Sequence, residues 1–310
     1  MEISKKDILR QLKQVCPGVK LPSEIDFRIN DNTLYLNVGS KGVIENMQYD
    51  SAAFEGWAIC IKAAIPEIGH VVMSWDNPRY SKSTEIEGRQ RKHYNRFLMR
   101  VVSFLDNYSW FSIAPGHDED VNSIRNLLES RCLLMNYPQS ESKPVVDKEK
   151  KPEAFLEREM VKALREQVPL TDHQLPVGLF VNEVEVPNTF TPCKGSQIDI
   201  WQVEDTTLRV FELKANKNEK VGIISELMFY ANTMYYLKAG VIQYPDTIRN
   251  AKNYRHIKDL WEVIEAHLIS KIDAIFMTGK LHTLFEAREE EILKILNNNK
   301  YLIRYRIERI

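Results

Sequence analysis

Cysteine is scarce and scattered in this sequence. Cys16, Cys60, Cys132 and Cys193 form no C-x-x-C pair and have no histidine at zinc-ligand spacing, which excludes a disulfide scaffold and a zinc finger or ribbon. They read as reduced thiols of a cytoplasmic protein. No uncharged apolar run approaches 18 residues, so neither a membrane-spanning helix nor a membrane partner is expected. The opening MEISKKDILRQLKQV sets charges among its apolar positions and lacks the apolar core of a secretory leader. Charge of one sign is not in excess either: 42 Lys and Arg face 43 Asp and Glu, for a net charge of -1. No whole-molecule field therefore draws the chain to a polyanion, and any such partner must be gripped by a local patch. There is no G-x-x-x-x-G-K segment, which excludes a P-loop motor, and no internal repeat is found.

What is present is an ordinary globular composition. The 310 residues, 44% of them apolar, suffice for roughly two domains with separate cores. The seam is YPQSESKPVVDKEKKP, residues 137–152, where prolines and lysines replace large apolar side chains; it reads as a solvated linker. The expected organisation is a mixed α/β domain over 1–136, the linker, and a second domain over 153–310. In the first, a helix over Ser4 to Val15 opens on a capping box of Ser4 and Asp7 and carries Ile8, Leu9, Leu12 and Val15 as its stripe. Alternating IDFRI and TLYLNV around Asn30, Asp31 and Asn32 predict a hairpin. A helix over Ala52 to Ala64, a strand at His70 to Trp75, a helix over Arg89 to Leu105, a strand at Ser109 to Ile113 and a helix over Val121 to Leu134 follow.

The Arg89 to Leu105 helix is two-sided. Arg89, Lys92, Arg96 and Arg100 share one face, while Tyr94, Phe97, Leu98, Val101 and Leu105 share another. The basic face is either a phosphate-backbone contact or a solvated surface paired with acids.

After the linker, the spacing predicts a helix over Glu153 to Val168 with Leu156, Met160, Ala163 and Leu164 inward. Strands follow at Leu179 to Val186, Gly195 to Val203 and Thr207 to Ala215, then helices at Ile223 to Leu237 and His256 to Ser270. A strand at Asp273 to Gly279, a helix at Phe285 to Leu296 and an edge strand in YLIRYRIERI complete the chain.

The chemistry concentrates on the middle strands. Glu212 and Lys214, two apart on one strand, leave it on the same face. If that strand pairs with the preceding one, Asp199 comes alongside. Two carboxylates and an ammonium among apolar neighbours repel and lose hydration, and a divalent cation relieves both costs. Mg2+ takes such oxygens, here Asp199, Glu212 and the Leu213 carbonyl, while keeping several waters. It would neutralise a phosphodiester and acidify a water, with Lys214 orienting that water or countering charge on phosphorus oxygens.

Gly195 and Asp199 as G-x-x-x-D, Glu212 and Lys214 as E-x-K on the next strand, a preceding Glu-bearing helix and a following helix with Glu226 four before Tyr230 resemble the PD-(D/E)XK nucleases. The resemblance covers residues 153–279. It implies a restriction-endonuclease-like mixed-sheet core flanked by helices that hydrolyses phosphodiesters with Mg2+ or Mn2+. It assigns Glu157, with Glu153 as the alternative, as an outer ligand, and Glu226 as a water or metal-shell partner where Gln is commoner. Ile198 stands where the family name has proline. The expected activity is a metal-dependent nuclease, endo- or exonucleolytic, acting on DNA, with RNA as the alternative and a homodimer compatible with cutting two strands. The rival reading is a nuclease-like fold kept for nucleic-acid binding or protein assembly. His173, His256 and His267 read as surface, turn or satisfied core residues.

Overall fold

The computed structural model describes residues 2–142, 152–215 and 220–310. The chain is mixed α/β. In order, its first elements are β1 (Glu2–Ser4), α1 (Lys5–Val15), β2 (Ile25–Asn30), β3 (Thr33–Val38), α2 (Phe54–Ala64), β4 (His70–Trp75), α3 (Thr84–Asn107), β5 (Phe111–Ile113) and α4 (Asp118–Glu129). Next come β6 (Leu133–Met135), α5 (Pro152–Gln167), β7 (Thr171–Pro176), β8 (Leu179–Val181), β9 (Gln197–Glu204), β10 (Thr207–Lys214) and α6 (Gly222–Lys238). The last are β11 (Ile242–Gln243), α7 (Ile257–Glu265), β12 (Lys271–Thr278), α8 (Thr283–Ala287), α9 (Glu289–Asn297) and β13 (Arg304–Glu308). Among the described residues no helix is long and apolar enough to cross a membrane.

The chain divides into two compact units that are not the two consecutive stretches expected. Unit 1 is Met1–Asn126 with Asn218–Glu226 and Lys280–Tyr301; unit 2 is Leu127–Lys217 with Leu227–Gly279 and Leu302–Ile310. Of the expected linker, residues 143–151 lie outside the described ones. Its flanks are built into structure: Tyr137 is buried, with its hydroxyl donating to Thr247 Oγ1 at 3.2 Å, and Pro152 opens α5.

Unit 1 is a five-stranded sheet in the order β1-β2-β3-β4-β5. The β1-β2 and β2-β3 pairs are antiparallel, β3-β4 and β4-β5 parallel. Ser4 caps α1 by accepting from Asp7 N at 3.4 Å, and Ile8 and Leu12 face inward. Helix α2 is buried along most of its length, Lys62 and Ala64 excepted, and Phe54 packs edge-on against Phe97 and Phe104. Each such fully buried aromatic contributes roughly 1.5–3 kcal/mol. The segment beginning at Lys220 belongs here as well. Val221 N donates to Asp50 Oδ1 at 2.9 Å, and a Cβ on Gly222 would lie 2.3 Å from Gln48 O, so only glycine fits that approach.

Unit 2 holds a second five-stranded sheet, β13-β12-β10-β9-β7, and a small β11-β6-β8 sheet. In the larger one β7-β9 and β9-β10 are antiparallel, while β10-β12 and β12-β13 are parallel. Read from its antiparallel edge, the succession of strand senses is that of unit 1. The hairpins correspond as well: Asn30 pairs with Thr33 around Asp31, and Glu204 pairs with Thr207 around Asp205, both aspartates at φ 53. That left-handed position is one Asp tolerates better than most side chains. Thr33 and Thr207 also hold the same place in their parallel ladders, opposite His70 and Lys271.

Several expectations are corrected. The helix expected to reach Leu134 stops at Glu129, because Ser130 Oγ donates back to Leu127 O and Arg131 turns left-handed at φ 55, freeing β6 to form. The long strand expected from Leu179 ends at Val181, where Asn182 is at φ 66. Strand β7 was not anticipated at all: Thr171, Asp172 and His173 are polar yet buried, so the segment lacks an apolar alternation. On α5, Leu156, Met160 and Leu164 pack on Ile200, Phe211, Leu213, Ile275 and Met277 as expected, but Val161 completes this core while Ala163 is exposed.

Candidate functional site

The site is built from unit 2. The antiparallel register runs to Phe211 opposite Ile200, and Glu212 and Asp199 are the next residues along their two strands. Residues directly opposed in an antiparallel pair emerge on the same face of the sheet. Phe211 and Leu213 turn toward the α5 core, so alternation carries Glu212 to the other face, buried to 1% exposure. Asp199 is half-buried at the same end of the hairpin, and Leu213 N donates to its Oδ2 at 2.8 Å. Lys214, half-buried, donates through Nζ to Glu212 Oε1 and lies 3.4 Å from Glu153 Oε1.

Helix α5 brings a third carboxylate. Glu157 is buried, and its carboxyl is pushed up to about 8, first by that burial and then by the negative charge of Asp199; Arg158 and a hydrogen bond from Gln174 pull the other way. It therefore holds a proton at neutral pH. Its Oε1 accepts no hydrogen bond and stands 3.9 Å from His173 Nε2, which also has no hydrogen-bond partner. The other imidazole nitrogen, Nδ1, is 2.8 Å from Asp172 Oδ1, and Arg165 holds the second oxygen of Asp172 at 2.8 Å.

Glu226, on α6, is assigned to unit 1 and is buried, with Gln48 Nε2 donating to its Oε1. Tyr230, four residues on, belongs to unit 2 and is buried. The basic stripe is corrected too. Arg89 is exposed and Lys92 half-buried, but Arg96 and Arg100 are buried. Arg100 donates from Nε and Nη2 to Glu55 and from Nη2 to Ala52 O at 2.8 Å, with Ser225 Oγ donating to the same glutamate at 2.7 Å. Arg96 reaches Asn46 Oδ1 at 3.2 Å. These two cations neutralise unit 1's own interior, since a buried guanidinium requires a fixed partner, and are not open to phosphates.

Among the described residues no group of three or more His, Cys, Asp or Glu side chains gathers to hold a metal ion. The residues that could hold one are fewer, the Asp199 and Glu212 carboxylates and the Leu213 carbonyl, a set of the hard oxygen donors that Mg2+ takes together with water. In unit 1 the positions matching Asp199 and Glu212, counted from the hairpin turn, are the paired Ile25 and Val38, both fully buried. The repeated sheet thus carries one polar site, not two. The His173, Asp172 and Arg165 cluster is the part sequence reading missed; the only local signal was an Asp-His pair just after an Arg-bearing helix. Comparison with protein-family models, curated proteins and solved structures finds no match for the chain.

Proposed function

We propose that the chain is a metal-dependent phosphodiesterase acting on nucleic acid, DNA in the first instance, with a restriction-endonuclease-like core in unit 2. The observation that carries the reading is the meeting of the adjacent ends of β9 and β10, where Leu213 N donates to Asp199 Oδ2 at 2.8 Å and Lys214 Nζ donates to Glu212 Oε1. A bound Mg2+ or Mn2+ would supply charge neutralisation of the phosphodiester and a more acidic water. Asp199, Glu212 and the Leu213 carbonyl would hold it. The hydrogen bond from Leu213 N fixes one Asp199 oxygen, which orients the other. Lys214 carries the cation that faces charge developing on phosphorus oxygens, and Glu153 beside it limits how far its ammonium wanders. Glu157 stores a proton next to Asp199. None of the four cysteines is in a disulfide, which suits a cytoplasmic setting.

With one site per chain, a single binding event cuts one strand. Purified protein with Mg2+ or Mn2+ is expected to convert supercoiled plasmid to relaxed circles before linear molecules, and Glu212→Gln to remove that conversion while leaving binding in place. Cleavage that persists in Glu212→Gln refutes the assignment. A second reading, a nuclease-like fold retained for binding, is favoured by the lack of a three-residue metal cluster among the described residues. It takes over if neither ion yields cleavage of duplex, branched or single-stranded DNA or of RNA.

A further inference from the structure

Beside the site, α5 and β7 frame a cleft of about 400 Å³ lined by Arg158, Val161, Lys162, Arg165, Glu166 and His173. Arg158, Lys162 and Arg165 follow the i, i+4, i+7 spacing of one helix face. Arg165 is pre-ordered, donating to Thr171 O at 2.9 Å and to Asp172 Oδ2 at 2.8 Å. His173 is buried, with Nδ1 engaged by Asp172 and Nε2 without a hydrogen-bond partner. Leaving such an atom buried costs about 1–3 kcal/mol, a cost a ligand oxygen would remove. Two carboxylates temper the charge, Glu166 in the lining and Asp172 behind Arg165, yet three cations outnumber them.

We propose that this cleft is an anion site that grips the phosphodiester backbone of the nucleic-acid substrate alongside the cutting centre, an inference that rests on the phosphodiesterase reading for its ligand. The row of cations spans about 10 Å of helix, longer than one phosphate group and suited to more than one phosphate of a strand. Asp172 fixes the His173 ring through Nδ1, which leaves the Nε2 edge for the ligand. Glu157, one residue before Arg158, links the cleft to Asp199, so the backbone seated here leads toward the carboxylates.

The test is fluorescence anisotropy of a labelled DNA oligonucleotide with full-length protein in chelator, which removes cleavage from the measurement. Lys162→Glu, at an exposed position, and Arg158→Gln are each expected to weaken binding about tenfold and to lower the slope of log affinity against log salt by about 0.9 per duplex phosphate lost. Lys294→Glu, equally exposed on α9, is expected to bind as wild type does. The proposal is overturned if wild type binds no nucleic acid, if both cleft variants bind normally, or if Lys294→Glu weakens binding equally. It is also overturned if inorganic phosphate or an acidic peptide of equal charge binds wild type as tightly and loses as much in the variants. Loss of binding in the cleft variants of a protein that never cuts sinks the hydrolytic reading alone; normal binding in them, with cleavage lost in Glu212→Gln, sinks the cleft alone.

Discussion

Glu157 offers the sharpest physical test because its charge should work against the fold. Its carboxyl has an ordinary value of 4.5 in the unfolded chain and about 8 in the folded one, raised by burial and by Asp199. Below pH 4.5 both states bind the proton and the group contributes no difference. From there to pH 8 the unfolded chain has released its proton while the folded one keeps it, so stability falls as pH rises; above pH 8 both are ionised and the loss is complete. Each pH step is about 1.4 kcal/mol, so between pH 4.5 and 7 the cost comes to roughly 3 kcal/mol. Glu157→Gln keeps the volume and abolishes the titration. Chemical denaturation in chelator, followed by tryptophan fluorescence, is expected to show the variant more stable than wild type by about 3 kcal/mol at pH 7 and indistinguishable near pH 4.5. A difference that stays flat across this range, or that favours wild type at neutral pH, refutes the placement of a buried carboxyl beside Asp199.

Unit 1 yields two further outcomes. Arg100→Met strands the buried Glu55 carboxylate, and a thermal shift corresponding to about 3–5 kcal/mol is expected, largely recovered when Glu55→Gln is added; an unshifted single variant would mean the pair is not buried. Gly222→Ala drives a methyl into Gln48 O and should cost about 1–3 kcal/mol, whereas Gly88→Ala, with open space around its Cβ in α3, should stabilise by up to about 1 kcal/mol. Equal melting shifts for the two glycine variants would contradict the close approach.

The amino-acid order by itself determined the local structure and the chemistry-bearing spacing. Periodicity marks α1, the β2-β3 hairpin, β4, α5, β9, β10 and α6 because 3.6 and 2 are properties of neighbouring residues. The E-x-K alternation likewise places Glu212 and Lys214 on one face before any packing is known. Only tertiary structure decided which polar groups lie inside. Arg96 and Arg100 read as a solvent stripe on their own helix, yet Glu55, 45 residues before Arg100, draws it into the interior. The E-x-x-x-Y spacing of Glu226 and Tyr230 gives no sign that α6 changes unit between them. β7 is strand because β9 offers it a ladder, not because its own side chains alternate. The repeated sheet was invisible for the same reason: backbone pairing repeats while Ile25 and Val38 in one copy hold the positions of Asp199 and Glu212 in the other, and hydrogen bonds between main chains leave no trace in side-chain identity.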